Sequence, residues 1–192
     1  MSGRTDGPGA VPGPSGGATA VARLVGDLMR TVPDYPGPGI QFRDITPLLA
    51  DGDAFGRVVA ALADHVHGPV DLVAGMEARG FLLAAPVAVA LGAGVVPVRK
   101  AGKLPGPVAS RSYALEYGSA AVEVQPFTVR DGARVLVIDD VLATGGTAAA
   151  TVELLESCGA TVVGLSFLVE LEGLGGRAML PGRYVDALLT LP

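Results

Sequence analysis

Between residues 18 and 32 the apolar positions of ATAVARLVGDLMRTV recur at helical spacing, with Val21, Leu24, Val25 and Leu28 on one face. The stripe predicts an amphipathic helix that Pro33 should end. Gly and Pro then crowd DYPGPGIQFRDITPLL, so regular structure is expected to resume only where Thr46 and Pro47 offer a cap and first turn. A second amphipathic helix is predicted over about 53–65. DLVAG at 71–75 reads as a short buried strand, and GFLLAAPVAVALG as an almost wholly apolar helix over about 80–91, closed by Gly92. Pro86 conflicts with that helix locally, because it deletes one helical hydrogen bond.

GVVPVRK is the next predicted strand, AGKLPGPVASRSYALEYG a long loop, and AVEVQ with FTV a strand pair reaching away from the sheet. RVLVI at 134–138 is a strand, 146–158 a helix capped by Gly159, and TVVGLSFLVEL a strand. Apolar strands alternating with helices predict an α/β fold: one Rossmann-like parallel sheet covered on both faces by helices joined through right-handed crossovers. No internal repeat is present. Residues 1–17, MSGRTDGPGAVPGPSGG, have almost nothing to bury and are expected to form a disordered tail ahead of a single domain over 18–192.

Composition narrows the function classes. A chain of 192 residues, 49% hydrophobic, suits one domain of ordinary size. Its 14 Lys plus Arg against 19 Asp plus Glu argue against a long-range field that gathers nucleic acid. One cysteine cannot close an intramolecular disulfide, no apolar run is long enough to span a bilayer, and the N-terminus lacks a secretory pattern, so a soluble cytoplasmic protein is expected. His65 and His67 have no third ligand nearby and are expected at the surface rather than on a metal, while Cys158 is expected to be a packing residue.

VLVIDDVLATGGT, 135–147, carries the chemistry. Ligands of parallel sheets bind beyond the carboxyl ends of the strands, where Asp139 and Asp140 fall. ATGGT then turns into a helix, so Ala143, Thr144, Gly145, Gly146 and Thr147 should form a concave anion site of backbone N–H groups and hydroxyls. Two carboxylates beside a phosphate would repel it, so they should face the hydroxyls of an attached sugar or a nearby metal. A ribose 5-phosphate satisfies both halves. Neither a G-x-x-x-x-G-K-[ST] loop nor a G-x-G-x-x-G signature occurs.

At these residues the chain resembles the type I phosphoribosyltransferases, which use phosphoribosyl pyrophosphate (PRPP). DYPGPGIQFRDITPLL, GMEARGFLLAAPVA, VPVRKAGKLPGP and SYALEYG are similar to the adenine branch of that family, in its order and spacing from about residue 20 onward. The resemblance implies a type I fold with a small hood and a flexible catalytic loop. It implies that Asp139 and Asp140 hold the ribose hydroxyls, that 143–147 cradle the 5-phosphate, and that Glu77, Ala78 and Arg79 bind pyrophosphate around a cis bond joining Glu77 to Ala78. Arg99, Lys100 and Lys103 form a basic cluster suited to the same leaving group, with Tyr117 assigned there too. A lid over 102–118 would bring Glu116 to a proton on the purine imidazole ring. In GIQFRD, Phe42 would stack on the base, Arg43 make polar contacts and the Gln41 backbone read its edge, with Leu171 on the other ring face. An aliphatic residue is usual at the position of Gln41.

The resemblance further implies purine salvage: a pentosyl-transferring enzyme, a homodimer, that makes AMP and pyrophosphate from adenine and PRPP. Mg2+ would be held mainly by PRPP and water. Xanthine, hypoxanthine or guanine as the base, or a PRPP sensor without catalysis, are the alternatives.

Overall fold

The computed structural model describes residues 16–66, 68–114 and 118–192. Through its middle runs a seven-stranded sheet. Five strands lie parallel: β3 (Leu72–Met76), β4 (Gly94–Lys100), β7 (Arg134–Leu142), β8 (Thr161–Leu171) and β9 (Val185–Leu191). The antiparallel pair β5 (Ala109–Ala114) and β6 (Ser119–Val124) extends the sheet beyond β4, giving the order β5-β6-β4-β3-β7-β8-β9. A separate hairpin joins β1 (Arg30–Pro33) to β2 (Gln41–Asp44).

Helices cover both faces, as the apolar strands require. On one side α5 (Gly146–Ser157) buries Ala148, Val152, Leu154 and Leu155 against Val135, Val137 and Phe167. On the other, α1 (Gly16–Leu28), α2 (Thr46–Ala50), α3 (Gly52–Asp64) and α4 (Arg79–Leu91) share a core built on Val25, Leu48, Val58, Leu62, Leu83 and Val87. The Asp51 carboxylate accepts the Ala54 N–H at 3.0 Å and starts α3. Gly92, left-handed at φ 65°, ends α4 as expected. Pro86 sits inside an unbroken α4, where its ring removes the N–H that would have met the Leu82 carbonyl.

At the amino ends of the strands, Arg134 forks onto Asp71, with Nε and Nη2 each 2.9 Å from a carboxylate oxygen. Those bonds, with the Arg134 backbone N–H, hold the Asp71 carboxyl well below the usual range. The fork fixes β3 beside β7, and the order in which strands are added reverses there: β4 follows β3 to one side, β8 follows β7 to the other. This is the switch point at which open parallel sheets bind ligands.

Several predicted elements are revised. α1 ends at Leu28, not at Pro33, because Arg30–Pro33 pairs with Gln41–Asp44; strand pairing across a turn overrides local Gly and Pro content. FTV is not a strand: Phe127 and Thr128 belong to a 3-10 turn at Pro126–Thr128, and Val129 caps it. β6 pairs instead with β5, cut from the middle of the expected loop, and both stay in the main sheet. β7 runs past 138 to Leu142, and β9 lies beyond the last predicted strand. His65 is half-buried, its Nδ1 paired with the Asp186 carboxylate rather than free at the surface. His67 and residues 1–15 of the expected tail lie outside the described residues, while Gly16 and Gly17, expected in that tail, belong to α1. Cys158 packs against the α5 core, as expected.

Candidate active site

The acid pair sits where one edge of β7 loses its neighbour. Pairing with β3 stops at Gly75 opposite Ile138, whereas pairing with β8 continues to Leu142 opposite Glu170. The acid pair therefore stands on a stretch of β7 anchored by β8 and open on the β3 side, and both residues line the cleft there. Gly80 brings α4 close: a Cβ there would lie 2.8 Å from the Ile138 carbonyl oxygen and 2.9 Å from Asp139 Oδ1. The Asp140 N–H donates to Asp139 Oδ1 at 2.9 Å. Burial, then the adjacent Asp140 charge, pushes the Asp139 carboxyl well above its ordinary value. Burial raises Asp140 too, although the Arg79 guanidinium opposes it.

After β7 the loop turns through Gly145, at φ 81°, into α5. Ala143, Thr144, Gly145, Gly146 and Thr147 line a cavity of about 90 Å³ with Asp139, Met76 and Phe167. The first N–H groups of α5 have no partner within the helix, which makes this a ready anion site. Thr147 Oγ1 donates to the Tyr113 hydroxyl at 3.1 Å, so β5 is fastened to the loop. Sequence reasoning missed Tyr113, although it stands in the SYALEYG stretch.

Adjoining this cavity is a cleft of about 440 Å³ lined by Gln41, Phe42, Arg43, Glu77, Ala78, Arg79, Lys100, Asp139, Asp140 and Leu171 among others. The Glu77–Ala78 bond is cis. Arg79 Nε faces Asp140 Oδ2 at 2.8 Å as an ion pair, Nη1 donates to the Arg43 carbonyl at 3.0 Å, and the guanidinium lies 4.8 Å from the Phe42 ring centre. Arg79 thus joins the hairpin to the acid pair. The Tyr35 ring meets Phe42 edge-on at 5.0 Å.

The basic cluster divides. Glu77 Oε2 accepts Arg99 Nε at 3.2 Å and the Lys100 N–H at 2.9 Å. Burial alone would raise the Glu77 carboxyl, but these donors outweigh it and hold it below its ordinary value. Arg99 also donates to the Lys103 carbonyl at 3.1 Å, so it is committed to protein partners. Lys100 borders the cleft, whereas Lys103 is exposed outside its lining. Glu116 and Tyr117 lie outside the described residues. No group of three or more His, Cys, Asp or Glu among the described residues could cage a metal ion.

Residues 48–177 match the family model of the phosphoribosyl transferase domain, which together with the fold defines a protein of the type I phosphoribosyltransferase class. Over 172 residues the chain is 59% identical to the adenine phosphoribosyltransferase of Acidothermus cellulolyticus, covering 89% of this chain and 97% of the relative. The crystal structure of adenine phosphoribosyltransferase from Thermoanaerobacter pseudethanolicus superposes with a TM-score of 0.86 at 45% identity, covering 88% of this chain and 99% of that one. The Saccharomyces cerevisiae enzyme, complexed with an imino-altritol bisphosphate and adenine, gives 0.85 at 38% identity, covering 89% and 99%. The chain belongs to the adenine phosphoribosyltransferase family.

Proposed function

We propose that the chain transfers the phosphoribosyl group of PRPP to adenine, releasing AMP and pyrophosphate, in the salvage of free purine. One observation carries the reading: the 143–147 loop, the acid pair, Arg79 and Phe42 border two cavities that share Asp139, Val141 and Ala143 at the switch point of the sheet. The Saccharomyces cerevisiae relative binds adenine together with a bisphosphate sugar analogue, the same two ligand types.

The 5-phosphate enters the small cavity at Ala143, Thr144, Gly145, Gly146 and Thr147, and the ribose hydroxyls donate to Asp139 and Asp140. Those bonds stabilise carboxylates that burial otherwise disfavours. Pyrophosphate lies along the Glu77–Arg79 turn, where Arg79 and Lys100 offer N–H donors. Glu77 contributes through its position, since its carboxylate is occupied by Arg99 and the Lys100 N–H. Adenine lies between Phe42 and Leu171, its edge read by the Gln41 backbone and Arg43.

Adenine's ring nitrogen bonds to the anomeric carbon as the bond to pyrophosphate breaks and its electron pair leaves with the leaving group. The proton of that nitrogen leaves as the bond forms, and Glu116, which falls in sequence between β5 and β6, is the residue proposed to take it. Charge on the ribosyl centre makes positioning and electrostatics the main task. Mg2+ brought in on PRPP oxygens and water would neutralise the leaving phosphates.

The proposed setting is the cytoplasm, where a charged sugar phosphate is retained. No helix among the described residues is long and apolar enough to cross a membrane. A homodimer is proposed because α4 carries no charge after Arg79 and presents Leu82 and Val89 to solvent; a monomer by sedimentation at working concentration would refute it. The central test supplies Mg2+, PRPP and each of adenine, hypoxanthine, guanine and xanthine. AMP from adenine alone, lost in Glu116→Ala while PRPP binding persists, is expected. PRPP binding without turnover of any base would sink the enzyme reading.

A further inference from the structure

Ala143, Thr144, Gly145 and Gly146 have side chains too small to hold a loop in one shape, so something outside the loop must do it. Behind it lies the turn at 175–179. A Cβ on Gly145 would sit 2.3 Å from the Gly176 carbonyl oxygen, and one on Gly176 would sit 2.2 Å from the Ala143 carbonyl oxygen. The two backbones therefore approach each other directly at two places, where the nearest atoms are backbone and Met179 Cβ and Leu142 Cδ1 follow at 3.0 Å.

That turn is itself fastened by Arg177. Its Nε donates to Glu170 Oε1 at 2.9 Å, its Nη2 to Glu170 Oε2, and its Nη1 to the Val185 carbonyl at 2.6 Å. Glu170 is buried, and it stands opposite Leu142, the last residue of β7 before the loop. The fork thus ties Gly176 to the same point of the sheet from which the loop departs. Arg177 lines neither the loop cavity nor the cleft, so it acts on ligand only through its neighbours, and Gly176 is the one that touches the 143–147 loop.

We propose that the 175–179 turn is a rigid backing for the 5-phosphate loop and that Arg177 is the positioning residue that sets it. The inference rests on reading 143–147 as the 5-phosphate site. A loop already held in its bound shape loses less freedom when the phosphate arrives, and that difference appears as affinity for the phosphate end of the ligand alone.

The test uses the full chain and measures equilibrium binding of ribose 5-phosphate and of pyrophosphate, with KM for PRPP and adenine. In Arg177→Ala, ribose 5-phosphate affinity is expected to fall about tenfold or more while pyrophosphate affinity and the adenine KM stay within about twofold, the scale set by a sub-ångström misplacement. Arg177→Lys should recover only part of the loss, since an ammonium cannot reproduce the fork. Unchanged ribose 5-phosphate affinity in folded Arg177→Ala, or equal losses for both ligands, overturns the proposal. If Arg177→Ala does not fold, Gly176→Ala, which presses a methyl on Ala143, should show the same selective loss; wild-type affinity there overturns it equally. Failure of the unmodified chain to bind ribose 5-phosphate instead overturns the reading of the loop.

Discussion

Gly80→Ala adds one methyl group where α4 meets β7. The new Cβ would stand 2.8 Å from the Ile138 carbonyl oxygen, 2.9 Å from Asp139 Oδ1 and 3.3 Å from Asp139 Cα, against about 3.4 Å for ordinary contact. Two of those atoms are backbone, so no rotamer change relieves the overlap, and helix and strand must part by about 0.6 Å. Overpacking of this kind costs about 1–3 kcal/mol. Alanine's better helix propensity returns up to about 1 kcal/mol in a helix interior, less in a first turn, so the cost should prevail. A net loss near 1–2 kcal/mol lowers the Tm of a chain this size by about 2–8 °C. The same displacement moves Asp139 against its ligand, and kcat/KM for PRPP should fall by roughly 10- to 100-fold. Gly56→Ala in α3 is the control, since nothing lies within 4 Å of its Cβ; it should be neutral or stabilising. Thermal melts and initial rates at varied PRPP decide it. If Gly80→Ala matches Gly56→Ala in both, the close approach at Asp139 is not what shapes the site.

Asp139→Asn should raise the Tm of the ligand-free protein at neutral pH while abolishing tight PRPP binding, because it removes a charge that burial and Asp140 disfavour yet keeps an oxygen for the Asp140 N–H. The sign comes from linkage: the folded values of Asp139 and Asp140 lie above the reference 3.8, so the penalty is full above them and is relieved as pH falls through them toward 3.8. Ligand-free protein should therefore gain stability on mild acidification, and Asp139→Asn should flatten that gain in melts across pH; a wild-type profile in the variant would contradict it. Phe42→Ala should raise the adenine KM by roughly 5- to 150-fold, from a stacking contribution of about 1–3 kcal/mol. An unaltered adenine KM in steady-state kinetics would place the base elsewhere.

The α/β class and the helices around residues 53–65, 80–91 and 146–158 were legible because burial on a helix or between two helical layers imposes a period that one sequence displays. Strands Gly94–Lys100 and Thr161–Leu171 were legible as apolar runs for the same reason. The acid pair and phosphate loop could be read as a ribose-phosphate site because they are contiguous, each needing only a strand end and a helix start. By contrast, β1–β2, β5–β6 and β9 are defined by partners distant in the chain, and short polar stretches such as QFRD and ASRSYA do not announce pairing.

Local patterning thus determined which segments could be helix or buried strand and where an anion could bind. Only the tertiary structure decided which charges meet there. The sheet order carries Arg79 to Asp140 and Arg99 to Glu77. It likewise set Tyr113 on Thr147 and Gly176 against Gly145. Ion pairs and backbone contacts depend on distances of a few ångströms between elements tens of residues apart, and those distances exist only once the sheet has fixed its strand order.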